Sequence, residues 1–131
     1  MNVVTVDTAT DRCARSATGA RAATRAFLEA LGHSSIAAEA ADTVVLVVSE
    51  LATNALRHGG GAFDLRLTAH PDTIEVAVDD SSPRLPRLRT PDLRHGTGGF
   101  GWPMVNRLAT ATAVSPRPCG GKTVRAFLPR W

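Results

Sequence analysis

The sequence of 131 residues predicts an α+β fold in two layers, a largely antiparallel mixed sheet with helices packed on one face. Two early segments carry apolar residues at helical spacing, and an alternating hairpin pattern follows them. A short helical segment and a second hairpin complete the chain. This order is typical of helices segregated to one side of an antiparallel sheet. The length fits a single domain over residues 1–131.

The composition is that of a soluble globular protein and argues against several other classes. Apolar residues make up 44% of the chain and charged residues 21%, and no apolar run approaches the roughly 20 residues that a membrane helix needs. The N-terminal residues lack the basic and apolar regions of a secretory signal. Cys13 and Cys119 lie far apart, which argues against a disulfide framework or a zinc site. We therefore expect a cytoplasmic protein with no membrane partner.

The net charge of +3 is unevenly distributed along the chain. Residues 1–83 carry a net charge of −5, and residues 84–131 carry +8. A basic half of this kind suits nucleic acid, an anionic protein or the phosphates of a nucleotide. The basic residues are dispersed and lack an interleaved set of aromatic residues for stacking bases. Direct binding of nucleic acid is therefore an alternative that the sequence does not favour.

The central segment is a predicted helix from Ala38 to about His58, followed by three glycines. Glu50 and Asn54 are four residues apart, so they share one helix face about one turn from each other. Both lie beside the apolar stripe and not opposite it. A carboxylate and an amide at the edge of a buried stripe indicate a pocket wall, and the alternative is a solvated helix flank. The stripe consists of Val44, Val47, Val48, Leu51 and Ala55.

The remaining elements are predicted from local patterns. A brief apolar run favours an edge strand at Asn2–Val6, and a helix is expected over Cys13–Leu31, stopped by Gly32. Ser34 or Ser35 is the expected cap of the central helix. Two alternating segments predict an antiparallel hairpin, and the irregular, proline-containing segment 81–95 reads as a functional loop. The other predicted elements are hairpin strands near 63–68 and 74–79, a helix over Trp102–Ala109, and strands at Ala111–Val114 and Thr123–Leu128.

Two phosphate-binding motifs can be excluded by their context. Gly96, Gly98 and Gly101 satisfy G-x-G-x-x-G, but the motif does not follow a strand, and no acidic residue comes after Asp92 to hold a ribose. The segment GKT at 121–123 is similar to the end of a P-loop. Proline stands where the first glycine is required, and too little chain follows for the necessary helix.

Four segments in order resemble the motifs of the GHKL, or histidine-kinase-like, ATPase superfamily of gyrase, histidine kinases and heat-shock chaperones. SELATNALRHG is similar to the N-box, and VDDSSPRLP and GTGGFGWPMVNRLA are similar to the two glycine boxes. GGKTVRAFLP is similar to the C-terminal hairpin. The chain looks most like the small stand-alone anti-sigma-factor serine kinases of actinobacterial type. The resemblance implies a Bergerat-type ATP-binding fold with a lid loop at about 81–98.

The resemblance implies ATP and Mg²⁺ as cofactors and gives roles to three side chains. Asn54 would coordinate the metal through its amide oxygen. Glu50 would act as a general base, and a solvated or salt-bridged carboxylate is the alternative. Asp80 would accept a hydrogen bond from the adenine amino group. Asp79 beside it leaves one residue of doubt in the register, and the inward-facing apolar residues of this strand favour Asp80.

The resemblance also assigns the glycines of the second box and two further residues. The box glycines would let backbone N–H groups approach the phosphates at a helix start, or would form a hinge without a ligand. Thr123 is similar to the late strand threonine near adenine, whereas Lys122 is expected to be a solvated strand residue. His58 lies either near the phosphates or simply beside the helix dipole. The box glycines are Gly96, Gly98, Gly99 and Gly101.

The expected function is that of a Mg-ATP-dependent serine/threonine kinase and anti-sigma-type regulator that phosphorylates a small protein. The resemblance implies an anti-sigma-factor antagonist or a sigma factor as partner, and by analogy a homodimer. Arg84, Arg87 and Arg89 of the lid would approach the γ-phosphate or an acidic partner, or would simply be solvated. The alternative function is a non-catalytic nucleotide-binding switch that sequesters a transcription regulator.

Overall fold

A computed structural model describes residues 9–14, 16–58, 60–83, 101–118 and 120–131, with the backbone alone for residues 9–14. Among these residues, no helix has both the length and the apolar character that crossing a membrane requires. A short 3₁₀ turn at His33–Ser35 joins the first two helices. The helices are α1 (Ala17–Leu31), α2 (Ala38–His58) and α3 (Gly101–Leu108), and the strands are β1 (Ala9–Ala14), β2 (Phe63–Ala69), β3 (Thr73–Asp80), β4 (Ala111–Pro116) and β5 (Lys122–Pro129).

The five described strands form one sheet in the order β1-β2-β3-β5-β4, and each neighbouring pair is antiparallel. Alternate residues of β2, β3 and β5 are buried on one face, together with the apolar stripes of the helices. This face is called the inner face below, and the opposite one the outer face. The predicted α+β, two-layer fold with helices on one side of a largely antiparallel sheet is confirmed.

Helix α2 provides the apolar stripe that anchors it to the sheet. Burying a valine or leucine side chain contributes roughly 1.5–3 kcal/mol relative to leaving it exposed. Glu50 and Asn54 are half-buried and lie at the edge of this stripe, as their spacing predicts. The core packing of α2 therefore determines where these two polar side chains are held. The buried residues of α2 are Val44, Val47, Val48, Leu51, Ala52 and Ala55.

The N-terminal part of the chain differs from the prediction. The first helix begins at Ala17, whereas Cys13 belongs to the edge strand β1. Ser16 accounts for this boundary, because its hydroxyl oxygen accepts a hydrogen bond of 2.9 Å from the backbone N–H of Gly19 and caps the helix. The strand predicted at Asn2–Val6 lies outside the described residues.

The expected cap of the central helix is also wrong. Ser34 and Ser35 form the 3₁₀ turn, and α2 begins only at Ala38, so neither serine caps it. The Ser35 carbonyl instead accepts hydrogen bonds from the buried guanidinium of Arg130, at 2.6 and 3.0 Å. Arg130 also donates to the His70 carbonyl at 2.7 Å. The chain after β5 is therefore tied both to the turn before α2 and to the turn between β2 and β3.

Candidate functional site

Helix α2 presents Glu50 and Asn54 to the start of α3. Gly101, the first residue of α3, is buried against them. A Cβ atom at position 101 would lie 2.7 Å from Glu50 Oε2 and 3.7 Å from both the Oδ1 and the Nδ2 atoms of Asn54. Only the missing side chain of glycine leaves room for both groups. The structure therefore brings three of the predicted site residues together at one point between two helices.

The chemistry of this point suits a metal-bound anion. The Glu50 carboxylate lies at a helix start, where the positive end of the helix dipole favours negative charge. Mg²⁺ binds oxygen ligands and is commonly held by one or two protein side chains together with phosphates and water. Among the described residues, no group of three or more His, Cys, Asp or Glu side chains is placed to hold a metal ion. Glu50 and Asn54 fit the shared kind of magnesium site.

The end of α2 lies beside the end of the sheet that carries Asp80. Phe63, which begins β2 after the glycine loop, pairs directly with Asp80 of β3. A Cβ atom at Gly60 would collide with the side chain of Ser81. His58 is exposed at the last residue of α2, about 6 Å along the helix axis from Asn54. The loop after α2 thus touches the residue that follows Asp80.

Asp80 lies on the inner face, as the alternation of β3 predicts. It is 4% exposed, and its Oδ1 atom accepts hydrogen bonds of 3.0 Å from the Ser82 backbone N–H and from Lys122 Nζ. Lys122 Nζ is also 3.0 Å from Oδ2 of the same carboxylate and donates to the Ser82 carbonyl at 3.1 Å. Asp80 and Lys122 therefore form a buried ion pair, called the inner pair below.

The prediction that Lys122 is a solvated strand residue is wrong. Lys122 is 6% exposed and pairs across the ladder with Asp80, so it shares the inner face with Val124, Ala126 and Leu128. The same alternation that places Asp80 inward could have revealed this position, because Lys122 stands two residues before Val124. A lysine at the start of an otherwise apolar inner face was the available signal.

Thr123 lies on the outer face and is not brought to Asp80. Its hydroxyl donates to Asp79 Oδ1 at 2.5 Å, and Arg66 Nη2 donates to the same oxygen at 2.7 Å. Thr123 and Asp79 are direct partners in the ladder between β3 and β5. This arrangement is called the outer pair below. It assigns Thr123 to Asp79, and Lys122 takes the place beside Asp80.

The other predicted site residues cannot be placed. Gly96, Gly98 and Gly99 lie outside the described residues, as do the lid arginines Arg84 and Arg87 and the neighbouring Arg89. Of the second glycine box, Gly101 and the residues after it are described. Trp102, which follows Gly101, is half-buried and packs against the core at the start of α3.

The comparison with protein families identifies the fold and the site. The family model of the histidine kinase-like ATPase domain matches residues 13–127, which is most of the chain. No curated protein matches the chain significantly. The chain belongs to the histidine kinase-like ATPase domain family, and membership of this family implies that it binds ATP. The match confirms the superfamily resemblance found in the sequence motifs.

Proposed function

We propose that the protein is a cytoplasmic Mg-ATP-dependent serine/threonine kinase that phosphorylates a small regulatory protein, and that it acts as an anti-sigma-type regulator. The observation that carries this proposal is the meeting of the Glu50 carboxylate and the Asn54 amide at Gly101. A general base beside a metal ligand is the arrangement that phosphate transfer to a hydroxyl requires. The motif resemblance to small anti-sigma-factor kinases supports an anti-sigma-factor antagonist as the substrate.

Each group has a separate task in this proposal. Asn54 binds Mg²⁺ through its amide oxygen, and the metal neutralises charge on the phosphates. Glu50 accepts the proton of the partner's serine hydroxyl while the hydroxyl oxygen bonds to the γ-phosphorus and the bond to the ADP oxygen breaks. Asp80 accepts a hydrogen bond from the adenine amino group. The protein thus contributes positioning and electrostatic stabilisation.

The metal role is tested by Asn54→Ala. Because the amide oxygen is the proposed protein ligand, we expect the magnesium-dependent part of ATP affinity to fall roughly 100-fold. Calorimetric titration with ATP, with and without Mg²⁺, measures this change. Asn106→Ala, on an exposed face of α3, is the matched control and should bind like the wild type. Unchanged affinity in the Asn54 variant would contradict the metal assignment.

The catalytic role is tested by Glu50→Ala. Loss of a general base typically slows a reaction by roughly 10²–10⁴-fold, so transfer of labelled phosphate to the serine partner should fall in that range. Mg-ATP affinity should remain within about threefold of the wild type. Glu39→Ala, in the exposed first turn of the same helix, is the control. A wild-type protein that binds Mg-ATP but transfers no phosphate would overturn the kinase proposal in favour of a nucleotide-binding switch.

A further inference from the structure

The inner pair is a polar site built into the apolar layer between sheet and helices. The side chains of Lys122 and Asp80 are 7% and 3% exposed, and burying an ammonium group is costly unless it is paired. The pair stands at the end of β3 and β5, on the face that α2 packs against. A buried lysine there demands an explanation, because an apolar residue would continue the pattern of β5.

The hydrogen bonds of the pair leave one donor and one acceptor side by side. An ammonium group has three N–H donors, and within the described part of the chain two of them are directed at Asp80 Oδ1 and at the Ser82 carbonyl. Asp80 Oδ1 accepts two hydrogen bonds. Each carboxylate oxygen has about two lone-pair sites, so Oδ2 keeps a lone pair even where Lys122 also approaches it.

An adjacent donor and acceptor are complementary to the edge of adenine. The exocyclic amino group is a donor, and a ring nitrogen next to it is an acceptor, the pattern that a bidentate side chain reads in nucleic acids. We propose that Lys122 reads the adenine base together with Asp80: Asp80 Oδ2 accepts from the amino group, and Lys122 Nζ donates to the neighbouring ring nitrogen. This inference rests on the proposed binding of ATP with its base at Asp80.

The inference makes Lys122 a specificity-determining residue and not only a counter-ion. A counter-ion that neutralises Asp80 would influence all purine nucleotides alike. A lysine that donates to a ring nitrogen discriminates between nucleotides that have that nitrogen and those that lack it. A site with a buried donor rejects a ligand that leaves the donor unpaired. The discriminating quantity is therefore a ratio of affinities.

The test compares ATP with 1-deaza-ATP and 7-deaza-ATP, each of which replaces one ring nitrogen next to the amino group by a C–H group. Calorimetry with Mg²⁺ measures the dissociation constants. We expect the wild type to bind one of the two analogues about tenfold more weakly than ATP, the loss of roughly one charged hydrogen bond. In Lys122→Met, which keeps the length of the side chain, this ratio should fall to about one.

Arg125→Met is the matched control. Arg125 lies on the same strand and pairs with Glu75 of β3 at 3.2 Å, but on the outer face. It should keep the wild-type ratio. If the wild type binds both analogues as tightly as ATP, or if Lys122→Met keeps the discrimination, the inference is overturned while the ATP site stands.

Two further outcomes are also decisive. Should Lys122→Met fail to fold, judged by circular dichroism, the wild-type ratio alone decides, because a site without a donor to the ring nitrogen cannot discriminate between ATP and both analogues. Should the wild type bind no ATP at all, the proposed function fails, and the inference that rests on it fails too.

Discussion

Two consecutive carboxylates at the end of β3 meet different surroundings. Asp80 faces inward, where Lys122 holds it in the layer beneath α2. Asp79 faces outward, where Thr123 and Arg66 bind it and the Arg66 side chain remains 38% exposed. Each acid has its ladder partner on β5. The pleat of the strand alone decides which of the two reaches the helical layer.

The difference teaches that a one-residue step separates a candidate recognition group from a surface network. The outer face continues as a series of charged contacts, with Arg125 and His70 both bound to Glu75. Partly exposed ion pairs of this kind contribute little to stability. The inner pair has no such contact with water, so its energetic consequences should be larger. The following predictions test this contrast.

The largest effect is expected from Asp80→Asn. The substitution leaves the Lys122 ammonium buried without a full counter-charge, and breaking a buried pair by removing one partner costs roughly 3–5 kcal/mol. We expect a loss of about 3 kcal/mol in the free energy of unfolding, measured by urea denaturation. Asp79→Asn, the matched change on the outer face, should cost about 1 kcal/mol. Equal losses would contradict the contrast between the two faces.

A smaller effect is expected at the other end of the site from Gly101→Ala. The added methyl carbon would lie 2.7 Å from Glu50 Oε2, so the carboxylate must move. Because that carboxylate ends a flexible side chain, the stability should change by less than about 0.5 kcal/mol. Transfer of labelled phosphate should fall about tenfold, since the base is displaced.

The cause of that loss can be separated by a second variant. In a Glu50→Asp background the carboxylate is withdrawn from position 101, so Gly101→Ala should cost less there than in the wild type. The same tenfold loss in both backgrounds would show that Gly101 acts through something other than Glu50.

The smallest effect is expected from Thr123→Val, which removes the hydroxyl and nearly preserves the shape. The lost hydrogen bond to Asp79 should lower the free energy of unfolding by about 1 kcal/mol. ATP affinity should stay within about twofold, because Thr123 lies on the outer face. A tenfold loss of affinity by calorimetry would instead support the placement near adenine that the family resemblance implies.

Much of the fold and one end of the site could be predicted because their signals are local. The period of α2 places Glu50 and Asn54 together without any knowledge of the rest of the chain. Alternation in β3 similarly places Asp80 inward. The family motifs add the ATP-binding fold, which the family match supports. The start of α1 was misplaced because Cys13 joins a strand by pairing with distant residues of β2.

The other end of the site depends on contacts that sequence patterns do not show. The inner pair joins residues that are 42 positions apart, and it exists only because β5 lies next to β3 in a particular register. Lys122 looks solvated when its neighbours are considered one at a time. The proximity of Gly101 to Glu50 likewise arises from the docking of α3 on α2, to which no local spacing corresponds.

Position 121 shows how much the pairing of Lys122 depends on a missing side chain. Gly121 has a φ of +83°, and a Cβ atom there would collide with the Asp80 carbonyl oxygen and lie 2.8 Å from Ser81 Cα. Both obstacles are backbone atoms, which cannot rotate aside. Any other amino acid at this position must separate the two strand ends and draw the lysine away from its carboxylate. In natural relatives and in laboratory evolution, variation around the base should therefore stop at this residue.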